Sequence, residues 1–179
     1  MKKFILIAML YTCAVGLSQE KMISKSGKII FEASVPSFEE VKATNTNVTF
    51  VLNPATGEIA SLALMKGFRF KVALMEEHFN ENYIESEKYP KAAFKGKIEE
   101  FNINSLTASP KDFIIRGKLE LRGKSQDITA TARIIKSRSG INILSNFSVN
   151  ASDFNIAIPS LVKSKVSNKI NIQIDAVLK

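Results

Sequence analysis

One histidine, one cysteine and no tryptophan occur in 179 residues. A zinc site needs several His or Cys ligands at set spacings, and two such residues cannot supply one. Any Ser-His-Asp or Cys-His machinery would have to rest on His78 alone. Neither a GxGxxG nor a Walker-type glycine loop is present, so no phosphate-cradling loop is visible. Beyond residue 18 no apolar run approaches the length of about 18 residues that a membrane helix requires. What remains is an ordinary globular composition, 45% apolar and 23% charged, with Lys+Arg 25 against Asp+Glu 17.

The chain starts with Met1-Lys2-Lys3, a short positive region, followed by the apolar stretch Phe4–Leu10. Gly16-Leu17-Ser18 places small residues where a signal peptidase reads. Residues 1–18 are therefore read as a secretory signal cleaved before Gln19, and the protein as periplasmic. Acylation at Cys13 is the lipoprotein alternative, disfavoured by Thr12 where such a site wants a smaller residue. Cleavage removes the lone cysteine, so the exported domain, residues 19–179, has no disulfide and depends on an apolar core. No composition break or internal repeat divides it.

From residue 28 onward the pattern has period two. Val48, Phe50 and Leu52 alternate with polar residues. So do Phe94, Gly96 and Ile98; Phe113 to Leu121; Ile128 to Ile134; Ile141 to Val149; and Ile170 to Leu178. Successive strand side chains point to opposite faces, so each segment has one dry and one wet face. Strands over Lys28–Val35 and Glu58–Met65 bring the number to about eight. Turn chemistry at Asn53–Gly57, Gly123-Lys124-Ser125 and Ser137–Gly140 implies antiparallel neighbours. Phe70–Ile84 breaks the rule: Val72, Met75, Phe79 and Tyr83 recur at helical spacing, predicting a helix over about 71–83. A short helical excursion is expected near 152–165.

Eight such strands make an all-β fold, a sandwich or a closed barrel. The inward positions mix large residues (Phe50, Phe94, Phe147) with small ones (Gly96, Gly117, Ala130, Ala132, Ser145, Ala176). Small residues there either fit a tapered, filled core or leave a tunnel, and composition alone does not choose.

The segment His78–Gly96, with Glu87-Lys88-Tyr89-Pro90 followed by a strand containing Phe94, resembles the signature of the YceI-like family. Gly117-Lys118-Leu119-Glu120-Leu121-Arg122-Gly123 resembles that family's G-x-L-x-L-x-G hairpin. Ser152-Asp153-Phe154-Asn155-Ile156 resembles its closing segment. The three pieces stand in family order over roughly residues 65–178. The resemblance implies an exported lipocalin-like antiparallel β-barrel of about eight strands, without catalytic residues. It also implies a hydrophobic lipid-like ligand: a polyisoprenoid, quinone-like chain or similar fatty amphiphile held in the interior. Longer members open with a Trp-containing strand and a D-x-x-H-S element, so this chain looks like a shorter branch.

On the alternation, a tunnel wall would be drawn from Phe50, Met65, Phe68, Phe70, Phe94, Ile98, Phe113, Ile115, Leu119, Ile143, Phe147, Ile172 and Ile174. His78, Phe79, Tyr83 and Tyr89 would stand at its mouth. Asp153 is expected to brace its own loop, and Pro90 to set the start of the following strand. Apart from this ligand no cofactor or metal is expected. Lys and Arg are dispersed over outward positions, which argues against nucleic acid. Such a basic shell can touch an anionic membrane surface transiently, and a homodimer is compatible with the sequence. Two alternatives stay open: an envelope structural or interaction module with a filled core, and an enzyme acting on an envelope lipid through His78.

Overall fold

A computed structural model of the chain describes residues 20–179. The expected signal over 1–18, with Cys13, lies outside the described residues.

Nine strands form one antiparallel sheet: β1 (Met22–Ser34), β2 (Lys42–Leu52), β3 (Glu58–Leu64), β4 (Arg69–Phe70), β5 (Lys91–Ile98), β6 (Lys111–Leu121), β7 (Lys124–Ser137), β8 (Gly140–Asn150) and β9 (Val166–Leu178). Neighbours run β1-β9-β8-β7-β6-β5-β3-β2, and β2 pairs back onto β1. Eight strands thus close a barrel and leave no free edge. The two-residue β4 is extra. It pairs with Ala43 and Thr44 of β2, beyond the end of β3. The expected all-β barrel is what the chain forms.

The helix lies where the spacing places it. α1 (Ala73–His78) runs directly into a wider π-type turn, Phe79–Tyr83, closed by Ile84 N–H donating to the Phe79 carbonyl at 2.9 Å. The excursion near 152–165 consists of two single 3₁₀ turns, Ala151–Phe154 and Ser160–Val162.

One detail departs from the sequence reading. The β6–β7 turn is centred on Arg122-Gly123 rather than on Gly123-Lys124-Ser125. Leu121 pairs with Lys124, and both turn residues have positive φ, 48° and 69°. That is the hairpin geometry whose twist matches the flanking strands. In β2 the inward series Ala43, Asn45 changes parity to Val48, Phe50, Leu52, because a bulge intervenes. Asn45, 1% exposed, braces it. Its Nδ2 donates to the Leu64 carbonyl at 3.0 Å, and its Oδ1 accepts from Asn47 N–H at 2.9 Å.

One end of the barrel is solid. Leu52, Ile98, Ile134, Ile141 and Leu178 meet there, each at most 2% exposed. The β5–β6 connection covers this end with Phe101, Ile103 and Leu106, and the Phe101 ring stands 6.1 Å from Phe113. At the other end the β1–β2, β3–β5 and β8–β9 connections are long, and with the tight β6–β7 turn they surround an opening.

Candidate functional site

Glycine placement decides whether the interior is filled. Gly96 of β5 and Gly117 of β6 are direct cross-strand partners. The Phe94 ring reaches over both: a Cβ on Gly96 would stand 2.7 Å from its Cζ, and one on Gly117 2.6 Å. Phe50 lies over Gly27 of β1 in the same way, 2.4 Å from where a Cβ would be. These glycines take aromatic rings against the wall, and Ala130 and Ser145 face the open lumen, whereas Ala132 and Ala176 pack into the core.

The result is a cavity of about 400 Å³, within the range of small-ligand sites. Its deep part is lined by Phe50, Ile59, Ile115, Ile143, Ser145 and Ile174. The Ser145 hydroxyl donates to the Thr131 carbonyl at 2.8 Å, so it is satisfied by the wall and offers the lumen little polarity. Among the lining residues only Glu39, His78 and Lys165 can carry charge, and they are exposed residues of the mouth connections. The arrangement suits a long apolar body inside and a polar end at the opening.

The mouth is assembled from segments far apart in sequence. Phe31 of β1, Phe68, Phe70 of β4 and Phe79 form an aromatic cluster with centroid separations of 5.2 to 6.1 Å. It fixes the α1 segment across β1. Glu76 holds the same segment from outside: its carboxylate accepts from Arg69 at 2.6 Å and from Phe70 N–H at 3.1 Å. On the β1–β2 connection, Glu40 accepts from Lys71 at 3.2 Å. The Lys71 hydrogen bond and charge, with Lys42 adding to them, hold the Glu40 carboxyl below its ordinary range. This tie is present at neutral pH and is lost as pH falls through that lowered value.

Arg122 is the node on the opposite side. Its guanidinium donates to the Glu85 carboxylate and to the Asn155 carbonyl, linking the α1–β5 connection, the β6–β7 turn and the β8–β9 connection. All three residues have left-handed backbone, φ 53° at Glu85, 48° at Arg122 and 58° at Asn155. Non-glycine residues in that region cost on the order of 1 kcal/mol each, and this shared clamp offsets the cost. Arg122→Gln is expected to lower stability by about 1–3 kcal/mol. Amide exchange should quicken at residues 84–90 and 151–158 but not at the solid end, as hydrogen-exchange mass spectrometry can show.

The sequence-derived wall is largely the observed one. Phe50, Met65, Phe68, Phe70, Phe94, Ile115, Leu119, Ile143, Phe147, Ile172 and Ile174 all line the cavity. Ile98 and Phe113 do not. They point inward but are 0% and 5% exposed at the solid end, below the cavity floor. His78, Phe79 and Tyr83 are at the mouth. Tyr89 does not line the cavity: its ring packs on the β6–β7 turn at the rim, 3.0 Å from where a Gly123 Cβ would be, with the Lys88 ammonium 5.1 Å from its centroid. Asp153 braces its loop, accepting from Asn150 at 3.1 Å, while its carbonyl takes Gln126 at 2.7 Å. Pro90 precedes β5, and its carbonyl accepts from Met65 N–H at 2.9 Å. Sequence reasoning missed Phe31, although its alternation with Ile29 and Ala33 was there to be read. It also missed Phe38, Ile156, Ile158 and Val162, which lie in connections without periodicity.

Residues 21–178 match the family model described as YceI-like domain. The chain belongs to the YceI-like family. Among solved structures, this YceI-like barrel is similar to a polyisoprenoid binding domain from Saccharophagus degradans implicated in plant cell wall breakdown. The TM-score is 0.77 at 11% identity, covering 89% of this chain and 97% of that one. It is also similar to Burkholderia cenocepacia BcnA, with TM-score 0.69, 15% identity, and 84% and 95% of the two chains covered. The Campylobacter jejuni YCEI protein gives TM-score 0.60 and 21% identity, over 81% and 89% of the chains. At these identities the likeness establishes a shared fold. No curated protein sequence matches the chain.

Proposed function

We propose that this YceI-like protein is exported to the periplasm and there sequesters or carries a lipid-like molecule. The apolar tail of a polyisoprenoid, quinone-like or other fatty amphiphile occupies the barrel interior, and its polar end stays at the mouth. The observation that carries this reading is the apolar cavity of about 400 Å³, open at one end and solid at the other. Each methylene moved from water into such a wall contributes about 0.8 kcal/mol, so affinity needs no specific polar contact. Discrimination is by chain length and girth. The Saccharophagus degradans relative, a polyisoprenoid binding domain of the same fold, supports the ligand class.

The protein acts here as a binding protein rather than an enzyme. His78 is exposed at the end of α1, and a nucleophilic or acid–base role would need orienting partners around it. His78→Ala is accordingly expected to leave ligand content unchanged.

Organic extraction and mass spectrometry test the proposal, on protein purified from its native envelope without detergent. A stoichiometric isoprenoid or fatty amphiphile is the expected result. Ligand-free protein that also refuses quinones and fatty acids when offered them would overturn the proposal.

A further inference from the structure

The segment 156–165, which closes the β8–β9 connection, has two faces. Ile156, Ile158, Val162 and Lys165 line the cavity. Leu161, between them, is turned the other way and is 88% exposed, the largest exposure among the large hydrophobic residues described. Its backbone bonds are short-range turns: Val162 N–H to the Pro159 carbonyl, Lys163 to Ser160 and Lys165 to Val162. The long-range ties of this connection lie upstream, at Ser152, Asp153 and Asn155. The segment is thus a strap over one side of the mouth, clamped at its start.

Beside it stands the β1–β2 connection, since Ser34 at the end of β1 pairs with Val166 at the start of β9. That connection presents Phe38, which lines the cavity and is still 47% exposed. Lys163 and Lys165, the latter at the cavity rim, follow Leu161 and form no ion pair among the described residues. An apolar tip with adjacent free lysines is the chemistry of an interfacial anchor. The apolar side chain enters the acyl boundary, and the long lysine stems reach headgroup phosphates. Acidic groups face the rim as well, and they set the orientation. Glu40 is neutralised by Lys42 and Lys71, leaving Glu39. Glu77 and Glu81 are exposed on the α1 side, so the α1 side tilts away.

We infer that the strap side of the mouth docks on an anionic phospholipid bilayer, with Leu161 inserted and Lys163 and Lys165 against the headgroups. The inference deepens the lipid-carrier reading and rests on it for its purpose. A tail that is costly to expose to water moves most readily where the cavity opening meets the bilayer.

The test is flotation of residues 20–179, which contain the whole closed barrel and its core and omit the apolar leader. Vesicles are of phosphatidylcholine, with or without phosphatidylglycerol. Binding should require phosphatidylglycerol and be reversed by high salt. Lys163→Ser should weaken it about fivefold, and Leu161→Ser by about tenfold or more. Leu64→Ser, at another exposed leucine (59%) on the outer wall of β3, should change nothing. Uptake of a soluble fatty-acid probe without vesicles should be the same in all three variants. Wild-type flotation by Leu161→Ser, or indifference to phosphatidylglycerol, overturns the docking inference. So does a dimer in sedimentation that Leu161→Ser abolishes while vesicles are never bound. Docking without probe uptake would leave this inference standing and remove the carrier reading instead.

Discussion

Ala130→Trp should leave the barrel folded and empty. Ala130 lies on the inward face of β7, opposite Ile115 of β6, and both line the cavity. An indole added there projects into open lumen rather than into packed core, so the overpacking penalty stays at the low end of about 1–3 kcal/mol. It would displace four or five methylenes of a bound tail. At about 0.8 kcal/mol each, that is 3–4 kcal/mol, or several hundredfold in affinity. The chain has no tryptophan of its own, so the new indole reports its surroundings. Its emission should be blue-shifted in the free protein, and a quinone or fatty-acid titration should show little binding. Unchanged affinity with a blue-shifted indole would mean that the ligand lies elsewhere.

Gly117→Ala should cost far more stability than its one methyl suggests. The added Cβ would lie 2.4 Å from the Lys95 carbonyl oxygen and 2.5 Å from the Gly96 Cα. Both are backbone atoms of the facing strand, which cannot step aside as a side-chain tip can. Separating β5 from β6 strains the tightest part of the wall and lifts Phe94 from its seat. A loss of about 3 kcal/mol is expected, which for a domain of this size lowers Tm by roughly 6–12 °C. Calorimetry of Gly117→Ala beside Ala130→Val separates the two environments, since Ala130 faces open space. Equal, small shifts in the two variants would show that β5 and β6 are not in close approach at Gly117.

These two positions show how much of the fold was legible in the sequence. Alternation marked the strands from β5 to β9 and their inward faces, because a half-wet barrel wall imposes period two on every residue. It could not separate Ile98 and Phe113 from the cavity wall, since depth along the barrel axis leaves no periodic trace. Phe94 with Gly96, two residues on along one face, was a readable sign of a ring lying on the wall. The facing Gly117 became meaningful only with the register. The Arg122 clamp joins residues 37 and 33 apart in sequence, and no local pattern encodes such a meeting. Tyr89 illustrates the same limit: its place beside the mouth helix in sequence said nothing about the turn it packs on. The excursion near 152–165 was legible, but its place over the mouth was not, because connections are shaped by caps and tertiary contacts rather than by a repeat.

The central claim is that the lumen takes up an apolar chain end-on. The most direct measurement is detergent-free calorimetric titration of residues 20–179 with a series of fatty acids or short prenols of increasing length. The account predicts one site per barrel and a negative heat-capacity change. Affinity should rise by about fourfold per added methylene until the cavity is full, and then level off. Binding that fails to saturate, or whose affinity is indifferent to chain length, would contradict it.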